Sequence, residues 1–198
     1  MKRTRLLAFL SALTLLMAGA CPALADYALT PCELPEFGMT VPLPADFLLL
    51  RRDLPDDDPA YAYLGIDAAT SRAYMEQGDL YLDAVAKDAS CEVFVTVTED
   101  EALSVDFHSV GDNALIHLGA AMAEQYASQG ITVTQTEVYR ADGVTFLLLW
   151  QTVGGREGLQ CYTIRPGYAI SVTFGSAGLM TDDDAALMYE IMDGVRFN

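Results

Sequence analysis

A short acidic stretch carries the residue types best suited to bind a ligand. It contains four carboxylates and two aromatic side chains: Asp53, Asp56, Asp57, Asp58, Tyr61 and Tyr63. Aromatic rings beside carboxylates are suited to bind a cation or a peptide. We therefore expect any recognition surface to centre on this acidic loop from Asp53 to Tyr63. A solvated loop and ordinary packing of the two tyrosines are the plainer interpretations.

Carboxylate oxygens are also the ligands that calcium prefers, but the loop does not match an EF-hand. Pro55 interrupts it, no glycine stands at the sharp turn, and no glutamate follows at the spacing of the bidentate ligand. We expect no metal site and no cofactor. A calcium-dependent structural module is kept as an alternative function.

The residue types of a hydrolytic site occur together only once. Ser104, Asp106 and Ser109 lie near His108, and the other histidine, His117, is not at the spacing of a metal-binding pair on a helix. Neighbours along one segment rarely point at one another as a triad requires. We expect no catalytic residues, and an exported hydrolase with a dispersed site is the alternative.

Two glycine-bearing segments indicate turns. The segment 154–158 joins two predicted strands with no helix after it, so it is not a dinucleotide-binding loop. The segment 175–178 lacks the pattern of a nucleophile elbow, and three aspartates follow it, which would repel an anionic ligand. Neither segment predicts a site.

The first 25 residues have the three parts of a secretory signal peptide. Basic residues at positions 2, 3 and 5 precede an apolar run over 6–17, and Ala-Leu-Ala ends at Ala25. The run is too short for a transmembrane helix of about 20 residues. We expect cleavage before Asp26, an exported protein, and one domain over 26–198. The alternative is a lipoprotein, because Ala18-Gly19-Ala20 precedes Cys21.

The charge balance limits the partners. Residues 1–25 hold three of the 11 basic residues and none of the 28 acidic ones, so the chain from Asp26 carries a net charge of −20 at pH 7. Such a field repels phosphate backbones and anionic lipid, so we expect no nucleic-acid binding and a soluble monomer. The partner would be a protein, a peptide or a cation.

Three cysteines remain after position 25: Cys32, Cys91 and Cys161. An oxidising compartment favours a disulfide among them. Cys91 and Cys161 both lie in predicted strands with apolar neighbours, so we expect them to be the pair if a bridge forms. Three buried thiols are the alternative.

Hydrophobic periodicity predicts the remaining elements. Strands are predicted over 37–43, 47–52, 79–86, 91–98, 131–140, 144–153, 159–165 and 168–174, and helices near 67, over 113–129 and over 181–193. Pro42 indicates that the first strand is an edge strand. Asp142-Gly143 and Pro166-Gly167 are typical of tight turns between antiparallel strands.

These elements predict an α+β fold, an antiparallel meandering sheet of about six or seven strands with helices packed on it. The layout resembles the PsbP-like superfamily: an early strand-turn-strand over 39–47, a central helix, a four-strand meander and a terminal helix ending in Gly194-Val195-Arg196-Phe197. The resemblance implies an extracytoplasmic, mostly non-enzymatic protein and implies no site residues. We expect an exported, non-catalytic binding or accessory domain.

Overall fold

The computed structural model describes residues 28–198, so the predicted signal peptide and Cys21 lie outside the described residues. The described strands are β1 Leu29–Leu34, β2 Met39–Pro44, β3 Leu48–Arg51, β4 Leu80–Val85, β5 Cys91–Glu99, β6 Thr132–Ala141, β7 Val144–Val153, β8 Arg156–Arg165, β9 Tyr168–Ser176 and β10 Arg196–Phe197. The helices are α1 Pro59–Leu64, α2 Ala68–Gln77, α3 Asp112–Ala127 and α4 Asp182–Gly194.

Seven strands form one antiparallel sheet in the order β3-β4-β5-β9-β8-β7-β6. β6 to β9 make a meander, as the turn signals predict, and Gly143 and Gly167 adopt φ angles of 77° and 86° that favour glycine. β5 then pairs with β9 along its whole length. The predicted α+β fold with an antiparallel meandering sheet is confirmed.

A separate three-stranded sheet was not predicted. Its order is β1-β2-β10, so the strand that contains Pro42 is central and not an edge. A proline fits in this central strand because β10 pairs only with Met39 and Thr40. Beyond Thr40, β2 pairs with β1 alone. Pro42 therefore needs no N–H for a second partner strand.

One face of the seven-stranded sheet is fully covered, and we call it the closed face. Val93 and Val95 of β5, Val172 and Phe174 of β9 and Leu159 of β8 are all 0% exposed there. They belong to a core that also contains Leu187, Met188, Ile191 and Met192 of α4 and Val41 of β2. Helix α4 and the small sheet thus remove this face from water.

The opposite face, the open face, is covered only at its two sides. α1 and α2 pack over β3 and β4 around Leu50 and Met75. α3 packs over β6 and β7 around Leu147 and Leu149. The middle of the sheet, formed by β5, β9 and β8, lies between these two helical layers, and the 3-10 turn Phe107–Ser109 packs over the part of β8 around Tyr162.

Helix ends follow the local sequence. Thr181 caps α4 by accepting from the N–H of Asp184, whose carboxylate accepts from the Thr181 N–H in return. Asp67 caps α2, and its carboxylate accepts from both the N–H and the hydroxyl of Thr70. Both predicted helix starts are confirmed. Among residues 28–198, no helix combines the length and the apolar character needed to cross a membrane.

Candidate functional site

The carboxylates of the acidic loop are largely engaged in local contacts. Asp53 pairs with Arg51 at 2.9 Å, and Asp56 pairs with Arg72 at 2.6 Å. Asp58 caps α1, accepting from the Ala60 N–H at 2.9 Å. Part of the predicted loop is therefore a helix, which the sequence interpretation missed.

The remaining residues of the acidic loop do not converge on one point. Asp57 is exposed. Tyr61 of α1 is 4% exposed and packs with Leu50 and Met75. Tyr63 is 59% exposed and donates to the Lys87 carbonyl at 3.0 Å. Binding by this loop stays a prediction. The described residues contain no group of three or more metal-ligating side chains, which bears on the calcium alternative.

The residues around His108 are not arranged as a triad. Asp106 pairs with Arg165 at 3.1 Å and caps a single 3-10 turn over Phe107–Ser109. The Ser109 hydroxyl donates to the Asp106 backbone carbonyl rather than to a histidine. His117 is exposed on α3.

The sheet keeps Cys91 and Cys161 apart. They lie on β5 and β8 with β9 between them, opposite Ser176 and Val172 of that strand. Two strand spacings separate their Cα atoms by about 9–10 Å even before this offset, whereas a disulfide spans at most about 7 Å. The structure forms no bridge between them, and burial raises the pKa of the Cys161 thiol.

A cleft lies on the open face, in the gap between the two helical layers. Its volume is about 360 Å³, within the range of sites for small molecules. Strands β5, β9 and β8 form its floor, Tyr74 of α2 forms one wall, and the β7–β8 turn at Gly154 forms the other. We call it the open-face cleft.

The floor carries polar side chains among apolar ones because successive residues of each strand point to opposite faces. The side chains that point away from Val93, Val95 and Phe174 are those of Glu92, Phe94, Thr96 and Thr173. On β8 the alternate positions Gly158 and Gln160 share this face. A sheet with one apolar and one partly polar face presents hydrogen-bonding groups wherever no helix covers it.

Asp83 is the most unusual group in the cleft. It sits in the apolar strand β4, is 4% exposed, and its Oδ1 atom has no hydrogen-bond partner. Burial raises the pKa of its carboxyl to about 7, and the neighbouring carboxylate of Glu92 adds to the rise. An unpaired buried carboxylate destabilises the free protein, so this group indicates a site.

Glu92 supplies a second carboxylate beside Asp83. Burial raises the pKa of Glu92 too, while the positive charge of Arg156 opposes the rise. Glu92 lies over Gly175, where a Cβ would stand 3.1 Å from the Glu92 Oε1 atom. Glycine at position 175 thus leaves space on the floor for the glutamate side chain.

A hydrogen-bond network borders the cleft on the side of α3. The Gln160 Oε1 atom accepts from the Tyr126 hydroxyl and from the Gln151 amide, both at 2.9 Å. Gln151 also lines the cleft. The network fixes the edge of the floor and joins it to α3.

Sequence reasoning did not find this cleft. The one available signal was a carboxylate inside the apolar run Leu80–Val85, where the side chain must be buried. Asp83 and Glu92 come together only through the pairing of β4 with β5, in which Asp83 lies opposite Phe94.

The chain has a PsbP-like α+β fold. It is similar in structure to cyanobacterial PsbP (CyanoP) from Synechocystis sp. PCC 6803, with a TM-score of 0.55 and 14% identity, covering 91% of this chain and 98% of that chain. No family model matches the sequence, and no curated protein does. The predicted PsbP-like layout is confirmed, and likeness at this identity shows the fold alone.

Proposed function

We propose that this chain is an exported, non-catalytic binding or accessory domain whose ligand occupies the open-face cleft. The observation that carries the proposal is the buried Asp83 carboxylate of β4, which lines a cleft of about 360 Å³ and whose Oδ1 atom has no hydrogen-bond partner. A group of this kind is stabilised when a ligand supplies the missing partner.

Binding agrees with the contacts better than the hydrolase alternative does. The side chains that bear the residue types of a triad are held by Arg165 and by backbone groups, away from the cleft. The cleft itself offers carboxylates, hydroxyls and aromatic rings, which hold and orient a ligand without an activated nucleophile.

Ligand-observed NMR with a library of neutral, cationic and anionic small molecules tests the binding role. We expect some molecules to bind the purified protein and to lose binding in Gly175→Val, because the new side chain points into the space occupied by Glu92. Ala169→Val is the matched control, on the same face of β9 but outside the cleft lining. If no molecule binds, or if Gly175→Val leaves binding unchanged, the proposal fails.

The export part of the proposal is supported by the signal-like residues 1–25. Mass spectrometry of the protein recovered from its native cells tests it. We expect a chain that begins at Asp26 in the extracytoplasmic fraction. A chain that begins at Met1 would contradict export, and a lipid-modified Cys21 would show a tethered form.

A further inference from the structure

We propose that the open-face cleft takes a small organic amine, whose ammonium group lies between Asp83 and Glu92 and whose apolar stem lies along Phe94. This inference rests on the proposed function and names the ligand class of the same site.

Asp83 places a buried acidic group in the cleft. The side chain is 4% exposed and its Oδ1 atom lacks a partner. Removing a carboxylate from water without a counter-charge is strongly unfavourable. An ammonium group supplies both the opposite charge and N–H donors, so it satisfies the group that the free protein leaves unsatisfied.

Glu92 stands diagonally across from Asp83 on the neighbouring strand. Asp83 lies opposite Phe94 on β5, and Glu92 stands two residues along the same strand on the same face. Such diagonal neighbours are about 7–8 Å apart between Cα atoms. One ammonium group can therefore reach both carboxylates.

An apolar surface lies beside the carboxylates of Asp83 and Glu92. Phe94 lies directly opposite Asp83 in the register, two residues from Glu92, and Tyr74 of α2 also lines the cleft. Aromatic faces attract an ammonium within about 6 Å and also contact an aliphatic stem. A calcium ion would instead need six to eight oxygen ligands, and an anionic ligand would be repelled by the carboxylates.

The other charged groups around Asp83 leave its charge unmatched. Arg52, which directly follows β3, donates to the carbonyls of Leu80 and Met75, at 2.7 Å and 3.0 Å. Arg156 of β8 acts on Glu92, and Glu157 accepts from the Met180 N–H at 2.9 Å. Tyr74 has its pKa raised to about 12 by burial and by the two carboxylates, so it is neutral.

The bound amine competes with the proton on Asp83. Below neutral pH the carboxyl is largely protonated, because burial and Glu92 raise its pKa to about 7. Affinity for an ammonium group therefore increases as the pH rises through 7, while an alkylamine keeps its own charge. A neutral ligand would show no such increase.

The test is an NMR titration of the purified protein with n-butylammonium and with 1-butanol, which has a similar stem and no charge. We expect n-butylammonium to shift the amide signals of β4 and β5 and to bind at least about tenfold more tightly than 1-butanol. Asp83→Asn should lose at least about tenfold in affinity for the amine. Asp142→Asn, in the exposed β6–β7 turn, is the matched control and should bind as the unchanged protein does.

The remaining outcomes separate the two proposals. Equal binding of the amine and the alcohol, or unchanged amine binding in Asp83→Asn, overturns the amine proposal and leaves a cleft for another ligand. Glu92→Gln, at a half-buried position, provides the same readout if Asp83→Asn does not fold. Binding of neither probe, while other library molecules bind the cleft, overturns the amine proposal alone.

Discussion

The two faces of the seven-stranded sheet are built from the same strands, yet they differ in what covers them. On the closed face, Phe174 and its neighbours are 0% exposed beneath α4 and the small sheet. On the open face, the alternate residues of the same strands line a cleft between two helical layers. The closed face therefore carries stability, and the open face retains polar groups that reduce stability and suit a ligand.

The largest expected effect is on the closed face. Phe174→Ala should lower the free energy of unfolding by about 3–5 kcal/mol, because it leaves a cavity in a fully packed core. Urea unfolding followed by circular dichroism measures it. A loss below about 1 kcal/mol would mean that the closed face relaxes easily around the cavity. That result would contradict the view that the closed face stabilises the fold more than the open face does.

The next effect concerns the pH dependence of the open face. The folded pKa of Asp83, about 7, lies above its ordinary value of 3.8. The folded state therefore binds the proton more tightly, and stability from this group is full below pH 4 and is lost as the pH rises through 7. A rise in pKa of this size corresponds to roughly 4 kcal/mol.

Asp83→Asn should remove that pH dependence. Urea unfolding at pH 4, 6 and 8 in the free protein measures it, and the difference between the two proteins cancels the general repulsion among acidic residues. If the two proteins lose stability in parallel between pH 4 and 8, Asp83 is not a buried unpaired carboxylate.

A smaller effect is expected at the edge of the cleft. Gln160→Ala removes the acceptor shared by Tyr126 and Gln151, which are both 6% exposed. Leaving these two donors unpaired should lower stability by about 1–3 kcal/mol. Tyr126→Phe removes one donor and leaves the acceptor paired with Gln151, so it should lose less stability. Thermal unfolding of both variants measures the two losses. Equal losses would show that packing, not the network, sets the effect.

The smallest effect is expected at Thr96 on the cleft floor. Thr96→Val keeps the shape of a half-buried side chain, so the free protein should change in stability by no more than about 0.5 kcal/mol. Calorimetric unfolding checks this value. A loss comparable to that of Phe174→Ala would remove the distinction between the two faces.

Local signals predicted much of the fold. Asp142-Gly143 and Pro166-Gly167 favour tight turns of four residues. They therefore predicted the antiparallel pairing of β6 with β7 and of β8 with β9. α1 was missed because Pro59 after Asp58 was interpreted as a loop, although proline is favoured in the first turn of a helix. The small sheet was missed because β10 joins β2 from the far end of the chain.

The candidate site was harder to predict because, as with β10 and β2, pairing between strands brings its residues together. The acidic loop has the highest local density of carboxylates, but Arg51 and Arg72 lie close enough to pair with two of them. Asp83 and Glu92 have no such density along the chain. Strand pairing brings them together beside the gap between α2 and α3, which only the assembled structure reveals.

Asp83 is a buried carboxylate, and we propose that the ammonium group of a ligand supplies the hydrogen-bond partner that its Oδ1 atom lacks. The most direct measurement is a titration of the Asp83 carboxyl carbon by NMR, with and without saturating n-butylammonium. We expect a pKa of about 7 in the free protein and a lower value with the amine bound. A pKa near 4 that the amine does not change would contradict it.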